Sequence, residues 1–372
     1  MKGFSSVIKV GGLRSDSIGG RNAILATECK NAVLHKAGIE GYVPLILTLP
    51  TIYVGATPLD LSVRWPFPQV FKTDSGIYIG TDTGLYSVAC VAGVWTATSL
   101  TSGYTGAITW PWTIADCPMF PVFASGDLFV YYDYDSTAWI ARSKAYSTEG
   151  GTRWHDDWYP PISACFFRGQ IVVSGSATDS GTVSQQRVVR WTEIGNFDFL
   201  GMTATPRKNT SGELYAPGDE TVMRVMALSD AIMVYGTQTV FAMKPVEKPA
   251  PTYSVDSVSS DAGIIAGINS PLAVGGNYAK HLVVDRTGCL FLVSQEKGGL
   301  VRGAVTVKNL GYQEFLYPLV QGSNDCVTSR VNVTYNSDYD EFYISDGKTG
   351  FIYNSVGLTK STKQITSLMV GM

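Results

Sequence analysis

Between Thr221 and Val246 the chain reads TVMRVMALSDAIMVYGTQTVFAMKPV, and no other stretch narrows the choice of fold as far. Three runs rich in β-branched, aromatic and large apolar residues (Val222 to Leu228, Ala231 to Tyr235, Val240 to Met243) are separated by the turn formers Ser229-Asp230 and Gly236-Thr237. Such a pattern predicts three consecutive strands joined by tight turns. The middle run, AIMVY, does not alternate: it is apolar at every position, so both of its faces have to be covered. A three-stranded sheet cannot cover itself. The unit needs one sheet in front of it and another behind.

The same run-turn-run-turn-run design recurs from Ser62 to Val88, from Pro118 to Ser143, from Pro160 through QRVVRWTEIG, from Leu272 to Ser294 and from Arg330 to Val356. The hairpins fall near Gly76, Gly126, Arg168, Ser229, Ala279 and Asp340, at intervals of 50, 42, 61, 50 and 61 residues, averaging about 53. A repeat near that length carrying about four strands is the mark of propeller blades, each of which covers the faces of its neighbours. The expectation is an all-β chain: a β-propeller of six blades, with seven the alternative, each blade about four antiparallel strands. Residues 1–30 read as an arm or lead-in, and residues 31–372 as a single propeller domain closed by N- and C-terminal strands. Asn31 to Thr51 is expected to complete the blade of Arg330 to Val356, because closure repairs exposed sheet edges. Gly195 to Asp219 and Gly298 to Asp325 read as insertions decorating one rim. No amphipathic helical run of useful length is apparent.

Composition enters where it limits function. Hydrophobic residues make up 45% and charged residues 16%, enough apolar material for a large core under a sparsely charged surface. The net charge of −3 supplies no general basic field for nucleic acid. No apolar segment approaches the ~20 residues that span a bilayer, and the first residues lack the apolar core of a secretory signal. The six cysteines (Cys29, Cys90, Cys117, Cys165, Cys289, Cys326) form no CxxC pair and read as buried free thiols kept reduced.

The candidate sites each have a plainer account. His35, His155 and His281 lie far apart with no second ligand at metal-binding spacing, which suits satisfied or exposed histidines. Asp156 and Asp157 beside His155 fit a solvated turn. Asp133 to Ser136 and Ser337 to Glu341 lack the twelve-residue calcium-loop spacing and fit hairpin turns. Gly11 to Gly20 lacks the phosphate-cradle pattern, and no Gly-x-Ser-x-Gly elbow occurs. A tyrosine nucleophile with an arginine cluster, as in propeller glycosidases, is indicated by no particular positions. No catalytic, cofactor or metal residue is assigned, and the expectation is a protein without enzymatic activity and without a cofactor.

Four segments carry a family resemblance: Ala26 to Leu45, Gly218 to Val246, Gly263 to Ser294 and Asp340 to Thr362. In their order of hairpins and glycine-rich connections they resemble the β-propeller tail nozzle (tail hub) proteins of short-tailed bacteriophages. The chain is short for that family, as a propeller-only version would be. The resemblance implies a structural component of the virion tail, assembled in the bacterial host cytoplasm as a cyclic ring, a hexamer, below the head-to-tail adaptor. Such a ring conducts the genome and holds tail fibres or a tail plug or needle; double-stranded DNA passes without specific binding, and no membrane is engaged. The Gly195 to Asp219 loop, with Arg207 and Lys208, is then expected to face a neighbouring protein. The alternative is a glycan-binding or glycan-cleaving propeller used for receptor recognition. A cellular interaction scaffold is disfavoured because Gly-His and Trp-Asp signatures do not recur at blade spacing.

Overall fold

The computed structural model describes residues 51–62, 67–134, 136–143, 160–174, 187–195, 211–216, 221–236, 239–246, 253–258, 273–285, 287–295, 304–321, 331–337, 339–346 and 349–361, with four short strands nearer the start. Six antiparallel four-stranded meanders follow one another as the blades of a β-propeller. Blade four shows how sequence becomes architecture. Its strands are Val222–Leu228, Ala231–Gly236, Val240–Pro245 and Tyr253–Ser257, each paired with the next. Every side chain from Ala231 to Tyr235 is fully buried. Ile232 and Val234 pack toward blade three, against Val172, Val189 and Trp191. Ala231, Met233 and Tyr235 pack the opposite way, against Val274, Val283 and Val293 of blade five. The non-alternating run thus serves two interfaces at once, each large side chain contributing about 1.5–3 kcal/mol.

Comparable cores join blades one and two around Trp112 and Phe123, two and three around Phe129 and Ile171, and five and six around Leu282, Phe342 and Phe351. First strands of adjacent blades lie side by side: Thr113–Ala115 with Ala164–Phe167, Ala164–Phe167 with Val222–Leu228, and Ala273–Gly276 with Asn332–Asn336. First strands therefore ring the axis. At Gly275 a Cβ would sit 2.0 Å from the Val333 carbonyl oxygen, so only glycine permits blades five and six to approach this closely.

The hairpins lie where the sequence places them, with one difference of register. Arg168 (φ 48°) and Gly169 (φ 82°) form a two-residue turn with both angles positive, the geometry that matches strand twist. Ser229 and Asp340 also have positive φ at the first turn of their blades. Gly126, however, sits in the second turn of blade two, between Val122–Ala124 and Leu128–Asp133. The first turn of blade two lies between Thr113–Ala115 and Val122–Ala124.

The second turns repeat one device. Backbone N–H groups of Thr81, Ser125, Gly236 and Asp346 donate to carbonyls three residues on, at 2.8–3.3 Å. The Thr81, Ser125 and Asp346 side chains also accept from backbone N–H groups inside the turn, and Asp285 does the same for Thr287 and Cys289.

Two expectations need correction. The two supposed insertions contain the fourth strands of blades three and five, Gly212–Tyr215 and Val305–Gly311. A helix is present, Gln313–Gln321, whose Leu316 and Leu319 enter the core between blades five and six although Pro318 lies within it. The described strands of blade six are Asn332–Asn336, Glu341–Ser345, Gly350–Tyr353 and Leu358–Ser361, and among the described residues no strand of 31–51 pairs with them. The hairpin Ala32–His35 and Gly38–Gly41 pairs with itself and borders Leu358–Ser361. Residues 42–50 lie outside the described residues. Blade one instead gains two strands at its outer edge: Ile52–Val54 runs parallel to Val94–Ser99, and Thr57–Pro58 follows.

Candidate functional site

Polar groups concentrate at two places, the inner strands near the axis and the face carrying the first turns of blades three to six. Near the axis the first strand of blade four carries one charge in an otherwise apolar run, Arg224. Its register partner on the second strand is Tyr235. The Tyr235 hydroxyl donates to Nδ1 of His281, on the second strand of blade five, at 2.8 Å. Nε2 of His281 donates to the Ala227 carbonyl at 2.9 Å. A carbonyl only accepts, so the proton sits on Nε2 and Nδ1 is the acceptor. Tyr235 and His281 are both fully buried.

The titration behaviour follows from this burial. Desolvation lowers the His281 pKa to about 4; the hydrogen bond to Ala227 opposes that shift and the charge of Arg224 adds to it. Desolvation raises the Tyr235 hydroxyl well above its ordinary value and pushes the Cys165 thiol up to about 12. Arg224 is lowered to about 10 by the same cause, with Cys165 and Tyr235 opposing, and stays charged at neutral pH. The side chain keeps partial solvent contact while protein groups surround it, because it feels residues of blades three, four and five together. Both His281 nitrogens are committed and the Cys165 thiol stays protonated. The arrangement bonds blade to blade and carries one cation.

Other axial bonds have the same form. Gln69 Oε1 accepts from the Trp112 N–H at 2.6 Å, Thr113 Oγ1 accepts from the Ala164 N–H at 3.0 Å, and Ser163 Oγ accepts from the Val225 N–H at 3.2 Å. On the turn face, Arg168 pairs with Asp230 at 2.5 Å, the Ser229 N–H donates to the Tyr278 carbonyl at 2.6 Å, and Lys280 pairs with Asp340. These contacts link blades three to four, four to five and five to six. Ile194, Tyr278 and Tyr339 stand exposed on that face, the last at 70%.

The residues weighed from sequence do not come together. His281 is a satisfied core histidine. The His35 side chain, His155, Asp156, Asp157, Arg207, Lys208 and the glycine run beyond Gly11 lie outside the described residues. Asp133 accepts from the Ser136 N–H and hydroxyl, as a hairpin turn does, and Asp340 occupies a turn with positive φ. Four cysteines are free; Cys117 and Cys165 are buried, but Cys90 is exposed and Cys289 only half-buried. Among the described residues no three of His, Cys, Asp or Glu gather as metal ligands, and no helix is long and apolar enough to cross a membrane. Arg224 was missed, although a lone arginine inside VMRVMAL was a readable signal.

No family model and no curated protein matches the sequence. Among solved structures, the chain is similar to the β-propeller domain of Myceliophteria thermophila Cps50 (Swd1), at 10% identity and a TM-score of 0.45, over 78% of this chain and 84% of that one. It is also similar to the WD40 domain of Neurospora crassa Pan2, at 9% identity and a TM-score of 0.41, over 80% and 79%. A third likeness is to PorZ, a surface component of the type-IX secretion system of Porphyromonas gingivalis, at 9% identity and a TM-score of 0.43; it covers 81% of this chain and 33% of that one. The propeller assignment rests on the strand order itself.

Proposed function

We propose that this chain is a structural component of a bacteriophage tail, forming a cyclic ring, a hexamer, below the adaptor that joins head to tail. In this reading the propeller is a rigid wedge, the ring conducts the genome during ejection, and fibres or a plug attach to it. The protein acts without catalysis and belongs to the virion tail, assembled in the host cytoplasm. The observation that carries the reading is the set of large apolar side chains left exposed on a stiffly cross-linked fold. Val91 and Val94 stand out from the outer hairpin of blade one, and Ile194, Tyr278 and Tyr339 from the turn face. Such groups suit protein neighbours. The formal charge agrees: six copies at −3 each carry −18, and double-stranded DNA with a charge per ~1.7 Å is not held back by such a ring.

The test is co-expression with the adaptor and tail proteins of a short-tailed phage, followed by native mass spectrometry and two-dimensional class averages. Sixfold rings containing the chain are expected, along with no shift of short duplex DNA by the isolated chain at physiological salt. A chain that stays monomeric beside every tail partner, or that binds duplex DNA tightly and salt-sensitively, overturns the reading. One observation favours the glycan-binding alternative. Half-buried Phe120 and Tyr132 stack at 4.0 Å, with Trp139 edge-on to both, and aromatic clusters of this kind bind sugar rings. Retention on host surface polysaccharide, lost on Trp139→Ala, would support it.

A further inference from the structure

The guanidinium of Arg224 has no acceptor among the described residues: it makes no ion pair, and its Nε is sealed from solvent without a hydrogen-bond partner. The groups whose fields reach it are neutral, namely the Cys165 thiol, the Tyr235 hydroxyl and the His281 imidazole. The Tyr235 proton is already given to His281, and the second His281 nitrogen is given to Ala227. By contrast Arg168 meets Asp230 and Arg190 meets Glu213. A largely enclosed cation without a counter-charge carries a desolvation cost that a bound anion offsets. The residue keeps partial exposure on the strand that borders the axis. A planar guanidinium presented end-on matches two oxygens of one oxyanion.

We propose that Arg224 forms an oxyanion-binding site on the propeller axis, which takes a phosphate or carboxylate group through the terminal nitrogens of its guanidinium. The strand supplies the position: Val222 and Val225 anchor it in the core toward blade three, and past the irregularity between Val222 and Arg224 the arginine stands in the ladder opposite Tyr235. The Tyr235–His281 bond fixes the wall beside it. The site does not depend on the ring reading above, since a lone propeller would bind the anion equally.

The test uses the full chain with inorganic phosphate, acetate and chloride at matched ionic strength. Line broadening of phosphate in 31P spectra reads binding directly. A rise of about 3 °C in the melting midpoint is expected at a hundredfold excess over the dissociation constant. Acetate distinguishes a carboxylate site from one that requires phosphate. Arg224→Met should melt no lower than the wild type in anion-free buffer and lose both the broadening and the rise beyond chloride. Arg224→Lys should retain binding with affinity reduced at least tenfold. Equal anion responses in wild type and Arg224→Met overturn the proposal. If Arg224→Met does not fold, the wild type and Arg224→Lys decide: no broadening and no anion-specific rise in the wild type overturn it as well.

Discussion

Replacing His281 by glutamine should flatten the acid limb of the stability curve. In the folded chain His281 is fully enclosed, with its pKa lowered from 6.5 to about 4. A base whose folded pKa lies below its unfolded value takes up its proton later in the folded state. Its contribution is therefore intact above pH 6.5 and is lost progressively as the pH falls toward 4. At 1.36 kcal/mol per unit, the gap of about 2.5 units corresponds to about 3 kcal/mol of stability lost across that window. A glutamine amide can donate to the Ala227 carbonyl and accept from Tyr235, keeping the bridge while removing the titration. The assay is urea denaturation of wild type and His281→Gln at half-unit steps from pH 7.5 to 4. Any constant cost of the substitution cancels when each series is referred to its own value at pH 7.5. Titrations shared by both proteins, such as those of Asp285 and Asp340, cancel in the difference. The expected difference grows below pH 6.5 to about 3 kcal/mol near pH 4. Parallel pH profiles for the two proteins would refute the reasoning, because His281 would then titrate alike folded and unfolded.

Gly275→Ala should cost about 2–4 kcal/mol in denaturant unfolding, since its Cβ meets the Val333 carbonyl at 2.0 Å; a loss under ~1 kcal/mol would mean that blades five and six can separate freely. Ser163→Ala strips the acceptor from the buried Val225 N–H and should cost about 1–3 kcal/mol, with the wild-type value reached only if the amide finds another partner. Maleimide labelling, mapped by peptide mass, should modify Cys90 in the native protein. Cys117 and Cys165, buried and with thiols pushed up to about 12, should react only on unfolding; fast native labelling of Cys165 would contradict its burial.

Which parts of this fold were legible follows from where strands sit in a blade. Second strands touch two neighbours, so AIMVY in blade four and the IVV of QIVV in blade three are apolar at every position and stand out in sequence. Fourth strands lie at the outer edge and are largely half-buried or exposed, so Gly212–Tyr215 and Val305–Gly311 carried no run and read as loop. The helix escaped notice because nine residues with an internal Pro318 give a weak periodic signal, and its two buried leucines are specified by packing. At the axis, no spacing rule links Arg224, Tyr235 and His281, which come from three strands of two blades. Their meeting depends on register and on the angle between blades, and neither is written locally.

Each blade's four strands are contiguous in the chain, and this shapes how the molecule is made. Most strand pairings join near neighbours, so a blade can close soon after its last strand leaves the ribosome. A finished blade remains sticky on its leading face until the following one arrives. For blade four that face presents Met233, Tyr235 and Val240, which wait through the synthesis of residues 258–284 before Val283 can cover them. Blade one waits longest: its face bearing Ile52, Ile79, Val88 and Ala97 belongs to no core shared with blade two. Leu59 and Leu61, which emerge before most of the blade, pack against that face, so part of it is shielded from the first moment it forms.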